Sequence, residues 1–276
     1  MPFHSGEREI QRRAGVLSMA DKVGRIIGDA IPGVAAHFIE QQRMLVLGHR
    51  DDAGRVRVSL VTGRPGFAWA DDSRTLEVDG SSVPAGEAAI LAIDFAARQR
   101  MRLNGPLEPR PGGFRIHAKE VYSNCPKYIQ ARVIEDERPA RSTSTAATAL
   151  NASQKTLIEN ADTFFIATVP AGQAADVSHR GGNPGFVRVV DDRHLAWDDF
   201  QGNAMFNTLG NLQLDPEAGL LFVDFQDGRL LHANGRARLV GDKVRRVEFE
   251  IDRVEETAEG HPFRWSAPVY SPFNPR

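Results

Sequence analysis

The sequence contains one unit twice, and this repeat limits the folds that the chain can adopt. Residues 58–67 and 177–186 both begin with Val-Ser and end with Pro-Gly-Phe, 119 positions apart and without a gap. Residues 91–105 and 221–235 share Leu, Asp-Phe and Asn-Gly at matching places, now 130 positions apart. Ordered identities whose spacing changes only at apparent loops indicate a duplicated structural unit. Two fused copies predict a pseudo-symmetric pair of domains, the intrachain form of a twofold dimer.

Each copy is composed mainly of predicted strands. Segments such as MLVLGHR, RVRVSLV and GLLFVDF combine alternating and continuous apolar patterns, and turn signals such as DDAG and QDG separate them. Short antiparallel strands at this spacing favour a small barrel. A helix is expected before each barrel, around residues 19–30 and within residues 145–161. The predicted fold class is therefore mainly β, with two tandem β-barrels and flanking helices.

The segment ERPARSTSTA, rich in small and polar residues, predicts a linker between the barrels. We expect N-terminal helices and the first barrel over residues 1–136. Residues 137–153 would form the linker and the start of a helix. The second barrel would span residues 154–276.

The composition excludes several classes of partner. A formal net charge of -2 supplies no excess of cations for a phosphate backbone, so no nucleic-acid partner is expected. The single cysteine, Cys125, excludes an internal disulfide framework and fits a reducing compartment. Because the start is charged and no long apolar run is present, we expect neither a signal peptide nor a membrane-spanning helix. We expect a cytoplasmic protein.

Differences between the two copies point to a ligand site. Both copies share the structural role, so residues that only one copy has can serve a specialised role. The second copy has SHRGG where the first has SLVTG. Arg180 offers a planar fork of donors that suits a phosphate, Ser178 adds a hydroxyl, and Gly181 permits close backbone approach. The alternative is that Arg180 is a surface ion-pair residue and the glycines form a turn. His179 is interpreted as a helper or a solvated neighbour rather than a general base.

The second copy also carries an insertion within WDDFQGNAMFNTLGNLQLDP. It predicts a short helix over residues 204–209 with Asn203 as its N-cap and Gly210 near its end. Free N–H groups at such a helix start favour an anion. The alternative is that this helix only packs into the core.

The first copy ends in NCPKYIQAR, where Lys127 and Gln130 lie a helical step apart and could direct donors at a ligand. Cys125 is interpreted as a buried apolar residue rather than a redox group. The eight histidines show no metal-binding spacing, so no metal site is expected, and no catalytic acid, base or nucleophile is evident. Phosphate-loop, dinucleotide-binding and nucleophile-elbow motifs are lacking.

Several of these segments together resemble the pyridoxamine 5'-phosphate oxidase-like, FMN-binding split-barrel family. They are DVSHRGGNPGF, GNAMFNTLGNLQLDPEAGLLFVDF, LLHANGRARLV, NCPKYIQAR and the opening PFHSGEREIQRRAGV. The resemblance covers nearly the whole chain and is strongest from Phe164 to Val240. It implies two split barrels with one FMN at their interface.

By the same resemblance, particular residues of both barrels would bind the cofactor. The second barrel would contribute Ser178, His179, Arg180, Gly181, Gly202, Asn203 and Asn207 near the phosphate. Lys127 and Gln130 would approach the flavin from the first barrel, with Lys127 as the candidate group near N1 and O2. The first barrel, which lacks the arginine and the insertion, would hold no second flavin.

The leading hypothesis is an FMN-dependent oxidoreductase of unknown substrate, which passes electrons to oxygen, a quinone or a redox partner. The C-terminal segment RWSAPVYSPFNPR lacks the arginine-bearing ending of true pyridoxamine phosphate oxidases, so vitamin B6 synthesis is not expected. The alternative is a non-catalytic flavin- or haem-binding protein in storage, delivery or sensing. Related barrels associate readily, so a homodimer is one expected assembly.

Overall fold

The structure, a computed structural model, describes residues 2–80, 82–140, 143–241 and 246–275. Across these ranges the backbone forms two eight-stranded antiparallel sheets and a two-stranded ribbon. The first sheet contains β1 (Met44–Arg50), β2 (Val56–Thr62), β3 (Ala68–Ala70), β4 (Thr75–Asp79), β5 (Gly86–Asp94), β6 (Gln99–Arg110), β7 (Gly113–His117) and β8 (Glu120–Ser123). Strand β9 (Ile134–Glu137) follows it and belongs to the ribbon.

The second sheet contains β10 (Ser144–Ala147), β11 (Thr163–Thr168), β12 (Asp176–Gly181), β13 (Val187–Val189), β14 (His194–Asp198), β15 (Glu217–Val223), β16 (Leu230–Val240) and β17 (Arg246–Thr257). Strand β18 (Phe263–Trp265) pairs with β9. The two sheets follow the same path, β2-β1-β5-β6-β7-β4-β3 and β12-β11-β15-β16-β17-β14-β13. The predicted mainly β class with two tandem barrels is therefore confirmed.

Helices flank the two sheets. They are α1 (Ser5–Arg13), α2 (Leu17–Val23), a 3₁₀ turn (Gly24–Ile26), α3 (Gly33–Glu40), α4 (Ala152–Asn160) and α5 (Asn207–Leu214). The helix expected around residues 19–30 is shorter than predicted, and α1 and α3 were not predicted. The helix expected within residues 145–161 begins only at Ala152, where Asn151 and Gln154 form a capping box. None of the described helices is long and apolar enough to cross a membrane.

The predicted linker, residues 137–153, includes strand β10, which pairs with β17 of the second sheet. Residues 141 and 142 of that segment lie outside the described residues. The division of the chain at residues 136 and 153 stays a prediction.

Strands β1 and β11 are buried on both faces, which explains their continuous apolar runs. On β1, Leu45 and Leu47 fill the first barrel, while Val46 faces the other way into a core between the barrels. On β11, Phe164 fills the second barrel and Phe165 enters the shared core. Alternate residues of one strand therefore serve two cores, and the barrels are packed against each other through apolar side chains.

A glycine allows the backbones of the two barrels to approach closely. A Cβ at Gly219 on β15 would lie 2.4 Å from the carbonyl oxygen of Val56 on β2. Backbone cannot move aside as a flexible side chain can, so this position excludes larger residues.

We predict that Gly219→Ala lowers the free energy of unfolding by about 1–3 kcal/mol, because the added methyl group clashes with backbone across the interface. Gly33→Ala is the control: nothing lies within 4 Å of its Cβ position at the start of α3, and we expect a neutral or stabilising effect. Urea unfolding of both variants is the measurement. Equal stability of Gly219→Ala and the wild type would contradict the described approach of the strands.

Candidate functional site

A cleft lies between the two barrels and holds about 860 Å³ of space, including its open mouth. The first barrel lines it with β6 and the segment after β8. The second barrel lines it with β12, the end of β14, the following loop and the first turn of α5. Small-molecule sites often lie at domain interfaces such as this one.

A buried ion pair joins the barrels at the floor of the cleft. Arg102 on β6 contacts the carboxylate of Asp176 on β12, and both side chains are almost completely buried. The same guanidinium donates to the hydroxyl of Ser178 at 2.7 Å and to that of Tyr122 at 2.9 Å. Burial lowers the pKa of Arg102, but the negative charge of Asp176 raises it, and together with the other neighbours the net shift is upward. Arg102 therefore stays positively charged, and Asp176 balances its charge.

The start of α5 is tied to this ion pair. The hydroxyl of Thr208 lies 2.5 Å from Oδ2 of Asp176 and 2.9 Å from Oγ of Ser178. Ser178 also donates to Asp176 at 3.0 Å. The Ser178 hydroxyl, expected near a phosphate, is thus already engaged with Arg102, Asp176 and Thr208.

Arg100, one step along β6 on the same face, has neutral partners only. Its Nε and Nη2 donate to the carbonyl of Cys125 at 2.9 and 2.6 Å, and its Nη1 lies 3.0 Å from Nδ1 of His179. Among the residues that the structure describes, no carboxylate forms an ion pair with it. Burial, and then the charges of Arg102 and Arg180, lower the pKa of Arg100 to about 9. Among the described residues, Arg100 is therefore a cation of the cleft with no carboxylate in an ion pair with it, although Asp198 and Asp199 also line the cleft.

His179 belongs to the wall of the cleft but not to its chemistry. Arginine can only donate, so Nδ1 of His179 accepts and the ring proton lies on Nε2. The ring packs edge-on against Phe95 and Phe165. Burial and the neighbouring arginines hold its pKa well below the usual value, so the ring is neutral. The structure places this histidine in the apolar interface and not in solvent.

Arg180 is a partly exposed cation at the cleft. Its Nη2 lies 3.5 Å from Asp199, a long ion pair, and its Nη1 lies 3.4 Å from its neighbour's carbonyl. Next to it, a Cβ at Gly181 would lie 2.0 Å from the carbonyl oxygen of Tyr128 in the other barrel. Gly181 therefore permits close contact between the barrels beside the cleft.

The inserted segment lines the cleft with Gly202, Asn203 and Asn207. The helix predicted over residues 204–209 is wrong: α5 begins at Asn207 and ends at Leu214. Asn203 does not cap it but accepts from the N–H of Met205 at 3.2 Å, which forms a local turn. Phe206 adopts a left-handed conformation with φ 63°, which starts the helix later.

Lys127 lines the cleft, whereas Gln130 does not. Tyr128, with φ 65°, prevents the helix expected in this segment, so the predicted helical spacing of the two residues is wrong. Gln130 is fully buried behind the cleft and donates to the carbonyls of Tyr128 and Gly182 at 3.0 and 3.2 Å.

Among the cleft residues that sequence reasoning missed are Arg100, Arg102, Tyr128 and Phe200. The two arginines were detectable by comparing the copies, since their counterparts 130 positions later are Leu230 and His232. Tyr128 and Phe200 come from different barrels and contact each other with ring centroids 5.3 Å apart. Only the folded chain reveals that pair.

The opposite side of the interface has different chemistry. The counterpart of Asp176 is Arg57, which pairs bidentately with Glu255 at 2.9 and 3.2 Å. His232 takes the place of Arg102, and burial lowers its pKa to about 3. Val61 replaces Arg180. The unmatched cation is therefore a property of one side of the interface.

Residues 150–270 match the family model described as pyridoxamine 5'-phosphate oxidase. A comparison with curated protein sequences gives no match.

Solved structures resemble less than half of this chain. A putative pyridoxamine 5'-phosphate oxidase from Lactobacillus delbrueckii is 17% identical and covers 39% of this chain and 94% of its own, with a TM-score of 0.32. HupZ from Group A Streptococcus is 17% identical and covers 44% of this chain and 98% of its own, with a TM-score of 0.27. An FAD-binding protein from Mesorhizobium loti is 14% identical and covers 42% of this chain and 98% of its own, with a TM-score of 0.29.

The family match and the sheet order that both halves share lead to one assignment. Residues 150–270 belong to the pyridoxamine 5'-phosphate oxidase family, and the first half of the chain repeats the sheet order of this second half.

Proposed function

We propose that the cleft binds one FMN per chain and that the protein is a flavin-dependent oxidoreductase of unknown substrate. The observation that carries this proposal is Arg100, a cation in the cleft whose partners are two backbone carbonyls and an imidazole. An anion beside it would supply the missing counter-charge and restore its pKa. A phosphate monoester is such an anion.

The chemistry of the lining residues fits both ends of a flavin nucleotide. Arg100 and Arg180 would hold the phosphate, and the free N–H groups at the start of α5 favour the same charge. Gly202 leaves open space there, since nothing lies within 4 Å of its Cβ position. Asn203 and Asn207 add polar groups to this end.

Aromatic side chains provide the other kind of surface that a flavin needs. Tyr128, Phe186 and Phe200 line the cleft together, so a planar ring would contact aromatic faces. Lys127 also lines the cleft, with its ammonium 5.6 Å from the ring centroid of Phe273, and would place a positive charge near the flavin ring. Such a charge stabilises a reduced flavin anion.

A bound flavin supplies hydride- and electron-transfer chemistry, and the protein's residues would bind and orient it. The substrate or redox partner would reach the flavin through the open mouth of the cleft. Neither nucleic acid nor a membrane is a proposed partner, the cytoplasm is the proposed location, and a homodimer is a proposed assembly.

A non-catalytic role in flavin or haem storage, delivery or sensing is the second candidate. It is favoured by the state of His179, which is buried, neutral and turned into the apolar interface, and is therefore poorly placed for acid–base work. The same placement speaks against His179 as an axial haem ligand, so flavin is the favoured cargo of this second candidate.

We predict that added FMN binds at one equivalent per chain, and that Arg100→Gln and Arg180→Gln each weaken binding about 10- to 100-fold, the effect of losing a charge-assisted hydrogen bond. Arg64→Gln, the same change at an exposed position outside the cleft, should bind like the wild type. Titration followed by flavin absorption and fluorescence is the measurement. Equal affinities in all four proteins, or a Soret band instead of flavin bands, would contradict the proposal.

We further predict that the FMN-loaded protein turns over with NADH or NADPH and an acceptor such as oxygen or a quinone. Stopped-flow absorption would show flavin reduction followed by reoxidation. Bound flavin that is reduced once and never cycles with any of these acceptors would favour the storage, delivery or sensing role.

A further inference from the structure

Helix α1 is packed tightly against the helix that forms one wall of the cleft. A Cβ at Gly6 would lie 2.2 Å from the carbonyl oxygen of Gly210 on α5, and a Cβ at Gly210 would lie 2.3 Å from Cγ of Glu7. The two helices therefore contact backbone to backbone. The position of α5 is set by the N-terminal segment as well as by its own barrel.

Glu7 makes the polar contact between these helices. Its Oε1 accepts from Nδ2 of Asn207 at 2.6 Å, and its Oε2 accepts from the backbone N–H of His4 at 2.8 Å. Only 4% of the residue is exposed. Asn207 is the first residue of α5 and lines the cleft, so Glu7 holds the cleft wall from behind.

A further hydrogen bond connects Asn207 to the floor of the cleft. The hydroxyl of Tyr122 lies 3.4 Å from Oδ1 of Asn207, and Arg102 donates to that hydroxyl at 2.9 Å. Glu7 is thus connected through Asn207 and Tyr122 to the ion pair that joins the barrels.

The groups around Glu7 do not favour its negative charge. From its own helix cap comes His4, which burial keeps neutral by lowering its pKa. From β8 and β12 come the carboxylates of Glu120 and Asp176, and α5 contributes the uncharged carboxamide of Asn207. Burial first, and then these two carboxylates, outweigh the hydrogen bonds and raise the pKa of Glu7 to about 8.

We propose that Glu7 is a positioning residue for the cleft: in its neutral form it fixes the first turn of α5, and its ionisation weakens the binding of an anion there. This inference rests on the proposed binding of FMN. An ionised Glu7 adds a negative charge behind the wall that faces the phosphate, beside the carboxylates of Asp176 and Glu120. Its one ion-pair contact among the described residues is with His4, whose Nε2 lies 3.5 Å from Oε2 and whose pKa burial lowers.

The direction of the pH effect follows from the pKa. Below pH 8 the folded chain keeps Glu7 neutral, so Glu7 adds no negative charge near the phosphate. As the pH rises through about 8, Glu7 loses its proton and affinity for the anion falls. In the unfolded chain Glu7 ionises near its ordinary value of 4.5, so its contribution to stability declines between about pH 4.5 and pH 8 and stays lost above that range.

The test measures the dissociation constant of FMN between pH 7.0 and 9.0 for four proteins. We expect the wild type to bind about tenfold more weakly at pH 9.0, the effect of one nearby charge at intermediate dielectric. Glu7→Gln keeps the shape and an acceptor for Asn207, gives up the bond from the His4 N–H, and should lose most of this pH dependence. Glu7→Ala should bind weakly at both pH values, because α5 loses its support.

Glu9→Gln is the matched control. Glu9 lies on the same helix, is more exposed and pairs with Arg12, so this variant should keep the wild-type pH profile. The comparison with Glu7→Gln also separates Glu7 from Arg100, because Arg100 is unchanged in both variants and any effect of its lowered pKa is common to them.

The outcomes separate this inference from the proposed function. If the wild type and Glu7→Gln bind FMN with the same pH profile, the inference is overturned and FMN binding stands. If the wild type binds no FMN at any pH, both are overturned. Unfolding without FMN gives a second readout: the stability advantage of Glu7→Gln should grow between pH 6 and pH 9, and parallel curves would overturn the role of Glu7.

Discussion

The contact between Arg102 and Asp176 organises the functional side of this molecule. It takes one charge from each barrel, and neither side chain is appreciably exposed. Loss of either partner would leave the other charge buried and unpaired, and would lower the free energy of unfolding by about 3–5 kcal/mol. Ser178 and Thr208 bond to the same pair, so strand β12 and helix α5 are fixed relative to β6. The walls of the cleft therefore depend on this one contact for their spacing.

Duplication explains why such a site can occur on one side only. The two barrels share a core through β1 and β11, and that role needs the same apolar pattern in both copies. The polar ends of the interface are free to differ. On one side Arg57 is satisfied by Glu255, whereas on the other Arg100 has neutral partners only among the described residues. The asymmetry of charge, more than the shape of the barrels, identifies the candidate site.

The sequence predicted the repeat, the mainly β class and a set of residues of which most line one cleft, because a duplicated unit exposes its specialised positions by comparison. It missed Arg100 and Arg102, although their counterparts in the second copy are Leu230 and His232. It misplaced the start of α5 because the left-handed backbone at Phe206 depends on packing rather than on capping signals. The support that Glu7 gives Asn207 joins residues 200 positions apart, which no local pattern reveals.

The central claim is that the unmatched cation marks the place of a flavin phosphate. A crystal structure of the chain grown with FMN tests it most directly. The account predicts one flavin per chain in the cleft between β6 and α5, with its phosphate beside Arg100 and Arg180. A flavin on the side of Arg57 and Glu255, or a phosphate remote from both cleft arginines, would contradict it.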